Sequence, residues 1–250
     1  TVDEQVGYLD DVPAGLLVGG AVGMTGDFRE WADRLVESGA RVICVDVAHG
    51  HHSSMREALN WLKRTLGDSV HVMAGNVATL DAFNALADWG ADSVRCNIGG
   101  GSICTTRVQT GHGVPGLHTI FDCASSENAG YVKIIADGGI RNSGDIVKAL
   151  AAGADFVMLG SLLSGTRQSP GEVVKTQNGE FKQYRGMASS SAQIDWRGSV
   201  GTPEGVSSMV PFKGDVGDIL HQLAGGIRSG LSYSGARNIE ELQRKAKFVR

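Results

Sequence analysis

Short apolar runs recur along the chain at residues 16–22, 42–47, 71–77, 93–98, 133–138 and 156–161, each closing on or beside Gly, Asp or Asn. Between most of them the apolar positions change to helical spacing. Residues 28–39 place Trp31, Ala32, Leu35 and Val36 on one face and stop at Gly39. Residues 55–66 and 80–89 read the same way, and residues 145–152 follow Ser143, the expected N-cap. Strand–helix units repeated in this manner predict a parallel sheet with crossover helices, its strands apolar enough for burial on both faces. A doubly wound sheet is the alternative. Polar and glycine residues at the C-terminal ends of all six strands favour a TIM (β/α)8 barrel, in which every strand end can face one site. Only about six of the eight units are visible, and residues 1–15 do not read as a complete one. The expectation is one catalytic domain over residues 1–250 that lacks its N-terminal part.

Past about residue 168 the repeat breaks. Residues 179–184 read as a hairpin feeding Arg185-Gly186-Met187. Residues 188–203 are small, polar and aperiodic, and are expected to form a mobile active-site flap. Residues 218–229 and 238–248 read as two closing helices.

Composition narrows the function class. The 250 residues are 42% hydrophobic and carry a net charge of −4, so no basic excess points to nucleic acid. No apolar run is long enough to span a membrane. The first residues, Thr1-Val2-Asp3-Glu4-Gln5, are not a signal peptide. The four cysteines, Cys44, Cys96, Cys104 and Cys123, form no CxxC pair, which fits a reducing, cytoplasmic setting better than disulfides or zinc. His49, His51 and His52 lie close together, but without a nearby Cys or Glu they read as loop residues rather than metal ligands.

The densest chemistry lies after the fourth run, in Asn97-Ile98-Gly99-Gly100-Gly101-Ser102-Ile103-Cys104-Thr105-Thr106-Arg107. Three glycines let the backbone turn and approach a ligand, and the amides of such a turn can hold an anion. A thiol in a loop rich in N–H donors can be a nucleophile, although a lone Cys after a glycine loop is more often structural. Asp137, at a strand end beside Gly138 and Gly139, can accept both hydroxyls of a ribose. Gly138, Gly139, Gly160, Ser161 and Ser102 offer amides and hydroxyls to a phosphate.

The string Gly-Gly-Gly-Ser-Ile-Cys-Thr-Thr-Arg, with Ile-Ala-Asp-Gly-Gly at 135–139 and Met-Leu-Gly-Ser at 158–161, resembles the IMP dehydrogenase/GMP reductase family. The resemblance runs from about residue 16 to the end. It implies a (β/α)8 oxidoreductase of purine metabolism that attacks C2 of a purine nucleotide with Cys104. It places Ser102, Asp137, Gly138, Gly139, Gly160, Ser161 and Tyr184 on the ribose phosphate. Gly186, Met187 and Glu204 would lie at the purine. Asp46, Ala48, Asn76, Arg95 and Asn97 would lie at the nicotinamide cofactor. Asp46 could instead cap the next helix, and Arg95 could partner a loop carboxylate. The resemblance further implies a monovalent cation, potassium, on carbonyls of Gly99, Gly101 and Cys104, and a homotetramer. Some members carry a regulatory insertion, whose excised connection would fall near residues 12–15.

Two reactions share this pocket. The reductase converts GMP to IMP and ammonia with NADPH; the dehydrogenase oxidises IMP to XMP with NAD. The dehydrogenase flap carries an Arg-Tyr pair that activates water; this chain has no Arg-Tyr dipeptide and has Trp196-Arg197 in a short flap. The runs Thr-Gly-His-Gly-Val-Pro after Cys104, Pro-Phe-Lys-Gly-Asp-Val at 211–216 and Lys-Phe-Val-Arg at the end look reductase-like. One departure stands against this. The reductase pairs a threonine, here Thr106, with a glutamate whose position holds Ser190. Asp195 and Glu204 are the candidate replacements. The expectation is the reductase, with the dehydrogenase as the alternative.

Overall fold

The computed structural model describes residues 2–13 and 15–249, apart from the side chains of Asp10, Trp196 and Arg197. Ala14, at the expected excision point, is outside the described residues. The chain divides into two compact units, residues 1–98 with 118–135, and residues 99–117 with 136–250.

In the first unit, helix α1 (Val2–Asp10) precedes strand β1 (Gly19–Val22), and the side-chain amide of Gln5 makes both backbone hydrogen bonds of Ala21, at 3.0 and 2.8 Å. Then come α2 (Phe28–Glu37), β2 (Val42–Asp46), α3 (Ser53–Leu66), β3 (His71–Val77), α4 (Leu80–Asp88) and β4 (Ser93–Cys96). The strands β1 to β4 pair in parallel, Ile43 with Val72 and Ala74 with Val94, for example. Each apolar run thus became a strand, and each of the three helices expected here began within two residues of its expected start, whereas α1 was not foreseen. Leu35, Leu59, Leu62, Phe83 and Leu86 from the helices are buried with Ile43, Val45, Val72 and Val94 from the strands. Two helices were not foreseen between the fourth and fifth runs: α5 (Thr106–Thr110) and α6 (Gly116–Ala124). Five residues with one apolar position, as in α5, leave no readable period. Strand β5 (Lys133–Asp137) follows.

The second unit continues with α7 (Ser143–Ala151), β6 (Phe156–Met158), β7 (Val174–Thr176), β8 (Gly179–Arg185), α8 (Ser190–Arg197), β9 (Ser207–Pro211), α9 (Val216–Tyr233) and α10 (Ile239–Lys245). Residues 179–184, expected as a hairpin, instead lie in the single strand β8, which pairs antiparallel with β7 across the turn at 177–178 and with β9 on its other side. Helix α8 falls inside the segment expected to be an aperiodic flap. Ser189 starts it by accepting from the Ala192 amide, and its hydrophobic pattern is weak because Ser190 and Ser191 open it. The strands β1 to β6 hydrogen-bond in chain order in one sheet. At β1 burial alternates, with Gly19 and Ala21 exposed, so one face of this strand is left uncovered rather than both being covered as expected.

Ser143 is not the N-cap of α7. Asn142 is, in an extended conformation and accepting from the Asp145 amide at 2.9 Å. Asp145 returns a bond by accepting from the Arg141 amide at 3.1 Å. The same device recurs in Arg237-Asn238-x-x-Glu241 at the start of α10, with bonds of 2.8 and 3.1 Å. Ser143 is instead pressed against Gly226 of α9, where a Cβ would lie 2.0 Å from its Oγ. Both helices cover a core of Ile140, Ile146, Leu150, Ala236 and Leu242. Asn142→Ala should lower the unfolding free energy by about 1 kcal/mol, read from the denaturant midpoint, whereas Ser143→Ala should leave the cap intact. Among the described residues no helix is long and apolar enough to cross a membrane.

Candidate active site

Most of the predicted nucleotide residues lie on loops of the second unit. Gly138 takes φ +80, and a Cβ there would sit 2.9 Å from the backbone of Gly100 and Gly101. Only glycine fits both the left-handed backbone and this close approach. The ends of two strands thereby bring the Gly99–Gly101 turn against Gly138, next to Asp137. Gly160 is likewise close to the Tyr184 hydroxyl, which a Cβ would approach to 3.3 Å. The structure therefore groups Gly100 and Gly101 with Gly138, and Gly160 with Tyr184, each pair made of backbone and hydroxyl groups suited to an anion. Gly138→Ala should weaken binding of a phosphorylated nucleotide at least tenfold in direct titration, because it forces the two loops apart.

Cys104 lies on the loop before α5, half-buried and bridged to Gly205 in antiparallel fashion. The 204–206 segment runs between two others like a short strand. Glu204 accepts from the Thr105 amide at 2.8 Å and donates to the Ala188 carbonyl at 3.1 Å. Val206 donates to Ile103 at 2.9 Å, and Gly186 donates to Val206 at 3.1 Å. The cysteine loop, the Gly186–Ser189 turn and Glu204 are thus fixed to one another by backbone bonds. Ile103 also packs against Gly186, while Met187 projects outward, 71% exposed.

This scaffold aligns three side chains. The Cys104 thiol donates to Thr106 Oγ1 at 3.2 Å, and Thr106 donates to Glu204 Oε2 at 2.7 Å. A thiol, a hydroxyl and a carboxylate in series form a path along which a proton can pass. The other possible acid is engaged elsewhere: Asp195 pairs with Arg185 at 2.6 Å. Ser190, at the glutamate position of the resemblance, is exposed on the first turn of α8. Ser102 is exposed, in the same turn as Cys104. The Gly101 carbonyl closes that turn on the Cys104 amide at 3.1 Å, so a monovalent cation would use its remaining lone pair.

The residues expected at the cofactor lie in the first unit. Arg95 meets the Asp46 carboxylate at 2.5 Å and the Cys44 sulfur at 3.5 Å. Arg95 thus partners a carboxylate at the end of strand β2 rather than one on a loop. Asp46 remains 43% exposed at its side chain, which leaves oxygen lone pairs for a ribose hydroxyl and fits a nicotinamide nucleotide. Asn76 donates to the Asn97 carbonyl at 2.7 Å, and its own carbonyl accepts from Gly50 at 2.7 Å, so it joins the 47–50 and 97–98 loops. Ala48 lies in the first of these. Asn97 itself takes φ +134 where the strand turns into the glycine loop. Asp46 does not cap α3; His52 does, accepting from the Ser54 amide at 3.1 Å, and His51 stands beside Trp89.

Two groups escaped the sequence reading. Arg107 threads between Gly99 and Gly113 and donates to the Val114 carbonyl at 2.7 Å, bracing the cysteine loop. Lys182 is buried, two residues before Tyr184 on β8. That spacing, one face of a strand, was the available signal.

A sequence model described as "IMP dehydrogenase / GMP reductase domain" matches residues 7–250. The chain is 49% identical over 244 residues to an inosine-5'-monophosphate dehydrogenase of Aquifex aeolicus (strain VF5), covering 94% of this chain and 50% of that protein. It is 48% identical over 246 residues to an enzyme of the same name from Nitrosopumilus maritimus (strain SCM1), covering 94% and 52%. Among solved structures, it superposes with a TM-score of 0.90 and 47% identity on a cysteine-to-alanine variant of GMP reductase from Trypanosoma brucei in complex with guanosine 5'-monophosphate, covering 94% of this chain and 50% of that one. The chain spans about half the length of the relatives it matches.

Proposed function

Because the chain belongs to the IMP dehydrogenase/GMP reductase family, with six strand–helix units of that family's α/β barrel fold, we propose that it serves the reductive deamination of GMP to IMP and ammonia. The observation that carries this reading is the Cys104–Thr106–Glu204 series, which gives the nucleophile an acid although Ser190 stands at the glutamate position.

In this mechanism the phosphate binds at Ser102, Gly138, Gly139, Gly160, Ser161 and Tyr184, and Asp137 accepts the ribose hydroxyls. Gly186 and Met187 border the purine. Cys104 gives up its proton through Thr106 to Glu204, and the thiolate adds to C2. Glu204 then returns the proton through Thr106 to the departing amino group, so ammonia rather than an amide anion leaves. Asp46, Ala48, Asn76, Arg95 and Asn97 would hold NADPH, which would supply a hydride for C2. Expulsion of the Cys104 thiolate completes IMP. Carbonyls of Gly99, Gly101 and Cys104 would hold a potassium ion that steadies the loop, and the working assembly is a cytoplasmic homotetramer.

The second reading is oxidation of IMP to XMP with NAD, which the names of the sequence relatives favour. The Thr106–Glu204 pair would then take a proton from water in place of the missing Arg-Tyr pair. Nicotinamide absorbance separates the two. The full-length protein should oxidise NADPH only when GMP is present. NADH formation from IMP and NAD, without that activity, would replace the first reading by the second.

A further inference from the structure

Lysine is almost never fully buried without a partner. Lys182 is 2% exposed, and among the described residues its partners are carbonyl oxygens rather than a carboxylate. Its ammonium donates to Thr166 at 3.0 Å, to Arg167 at 3.4 Å and to Ser169. A second ammonium, Lys213, holds the start of the same segment, donating to the carbonyls of Ser161 at 2.7 Å and Leu162 at 3.2 Å. Both ends of the 160–169 turn are thus fastened by cations. Desolvation holds the Lys213 pKa below the ordinary lysine value.

The placement of Lys182 links this turn to the phosphate site. Residues 182 and 184 share one face of β8, and the Tyr184 hydroxyl lies against Gly160 at the head of the turn. One strand face therefore carries an inner cation at residues 166–169 and a hydroxyl at residue 160. Carbonyls drawn to an ammonium fix the peptide planes of the turn. In a low-dielectric interior the positive charge also favours a nearby dianion.

We propose that Lys182 is a positioning residue for nucleotide phosphate: its buried ammonium sets the 160–169 turn that presents Gly160 and Ser161 beside Tyr184. This deepens the proposed function and rests on its placement of the phosphate. Removing the ammonium lowers affinity for the phosphorylated ligand and leaves the nucleoside and the thiol unaffected.

The test titrates GMP and guanosine against the full-length protein, wild type, Lys182→Met and Lys182→Gln. Methionine keeps the volume of the lysine stem without the charge. The wild type should prefer GMP. Both variants should lose about tenfold or more in GMP affinity, with guanosine affinity and the alkylation rate of Cys104 unchanged. An unchanged preference for GMP over guanosine in folded variants would overturn the proposal. So would failure of both variants to fold, because the cation would then hold the domain and not the phosphate turn. A wild type that binds GMP no better than guanosine would remove the phosphate reading itself, a failure visible before any substitution is made.

Discussion

Cys104→Ser should abolish turnover of GMP while GMP still binds. In the proposed mechanism the sulfur is the atom that attacks C2, and a thiolate is a far stronger nucleophile than a hydroxyl. A serine hydroxyl at the same place keeps the loop conformation and can still donate to Thr106, but its far higher pKa removes the nucleophile. The expected loss in kcat is about 10⁴-fold or more. The proposed phosphate and ribose contacts do not involve the sulfur, so the dissociation constant for GMP should move by no more than about threefold. Steady-state NADPH oxidation and direct titration measure the two effects. Turnover retained near the wild-type rate would end the covalent scheme for either reaction.

Glu204→Gln is expected to have the next largest effect. The amide keeps the shape and can still meet the Thr106 hydroxyl, held at 2.7 Å in the native site, but it neither accepts the thiol proton nor returns it to the amino group. The loss should appear in kcat, by about 10²- to 10⁴-fold, the range for removing a general acid. KM for GMP should change far less if the carboxylate acts mainly on the proton. Asp195→Asn provides the contrast. Its carboxylate is paired with Arg185, so its removal should leave the ammonia-releasing step within about twofold. Ammonia release in a single turnover distinguishes the two. A large defect in Asp195→Asn with a small one in Glu204→Gln would exchange their roles.

How much of this was legible in the sequence differs by element. The strand at residues 71–77 was readable to its ends, because a buried parallel strand writes its run directly into the chain. The helix beginning near residue 143 was legible, but its cap was not. Asn142 and Ser143 are both good caps, and the choice fell to Asn142 because Ser143 meets Gly226 of another helix. Helix α8 was missed where serines blurred its period.

The cysteine loop was determined by the sequence alone, since glycines, thiol and hydroxyls lie within a few consecutive residues and turn chemistry is local. Glu204 could be named only as one of two acids. It stands 98 residues from Thr106, and a backbone ladder through Gly205 and Val206 decides that it, and not Asp195, meets the hydroxyl. Lys182 could be placed by its spacing on the same strand face as Tyr184, but not as buried, because a charged residue on a strand is ordinarily solvated. The sequence by itself determined the strand–helix repeat and the chemistry of each loop, for those depend on neighbours along the chain. The tertiary structure alone decided which carboxylate meets the Thr106 hydroxyl beside the cysteine and which cation lies under the turn, because both depend on contacts between segments that the sequence keeps apart.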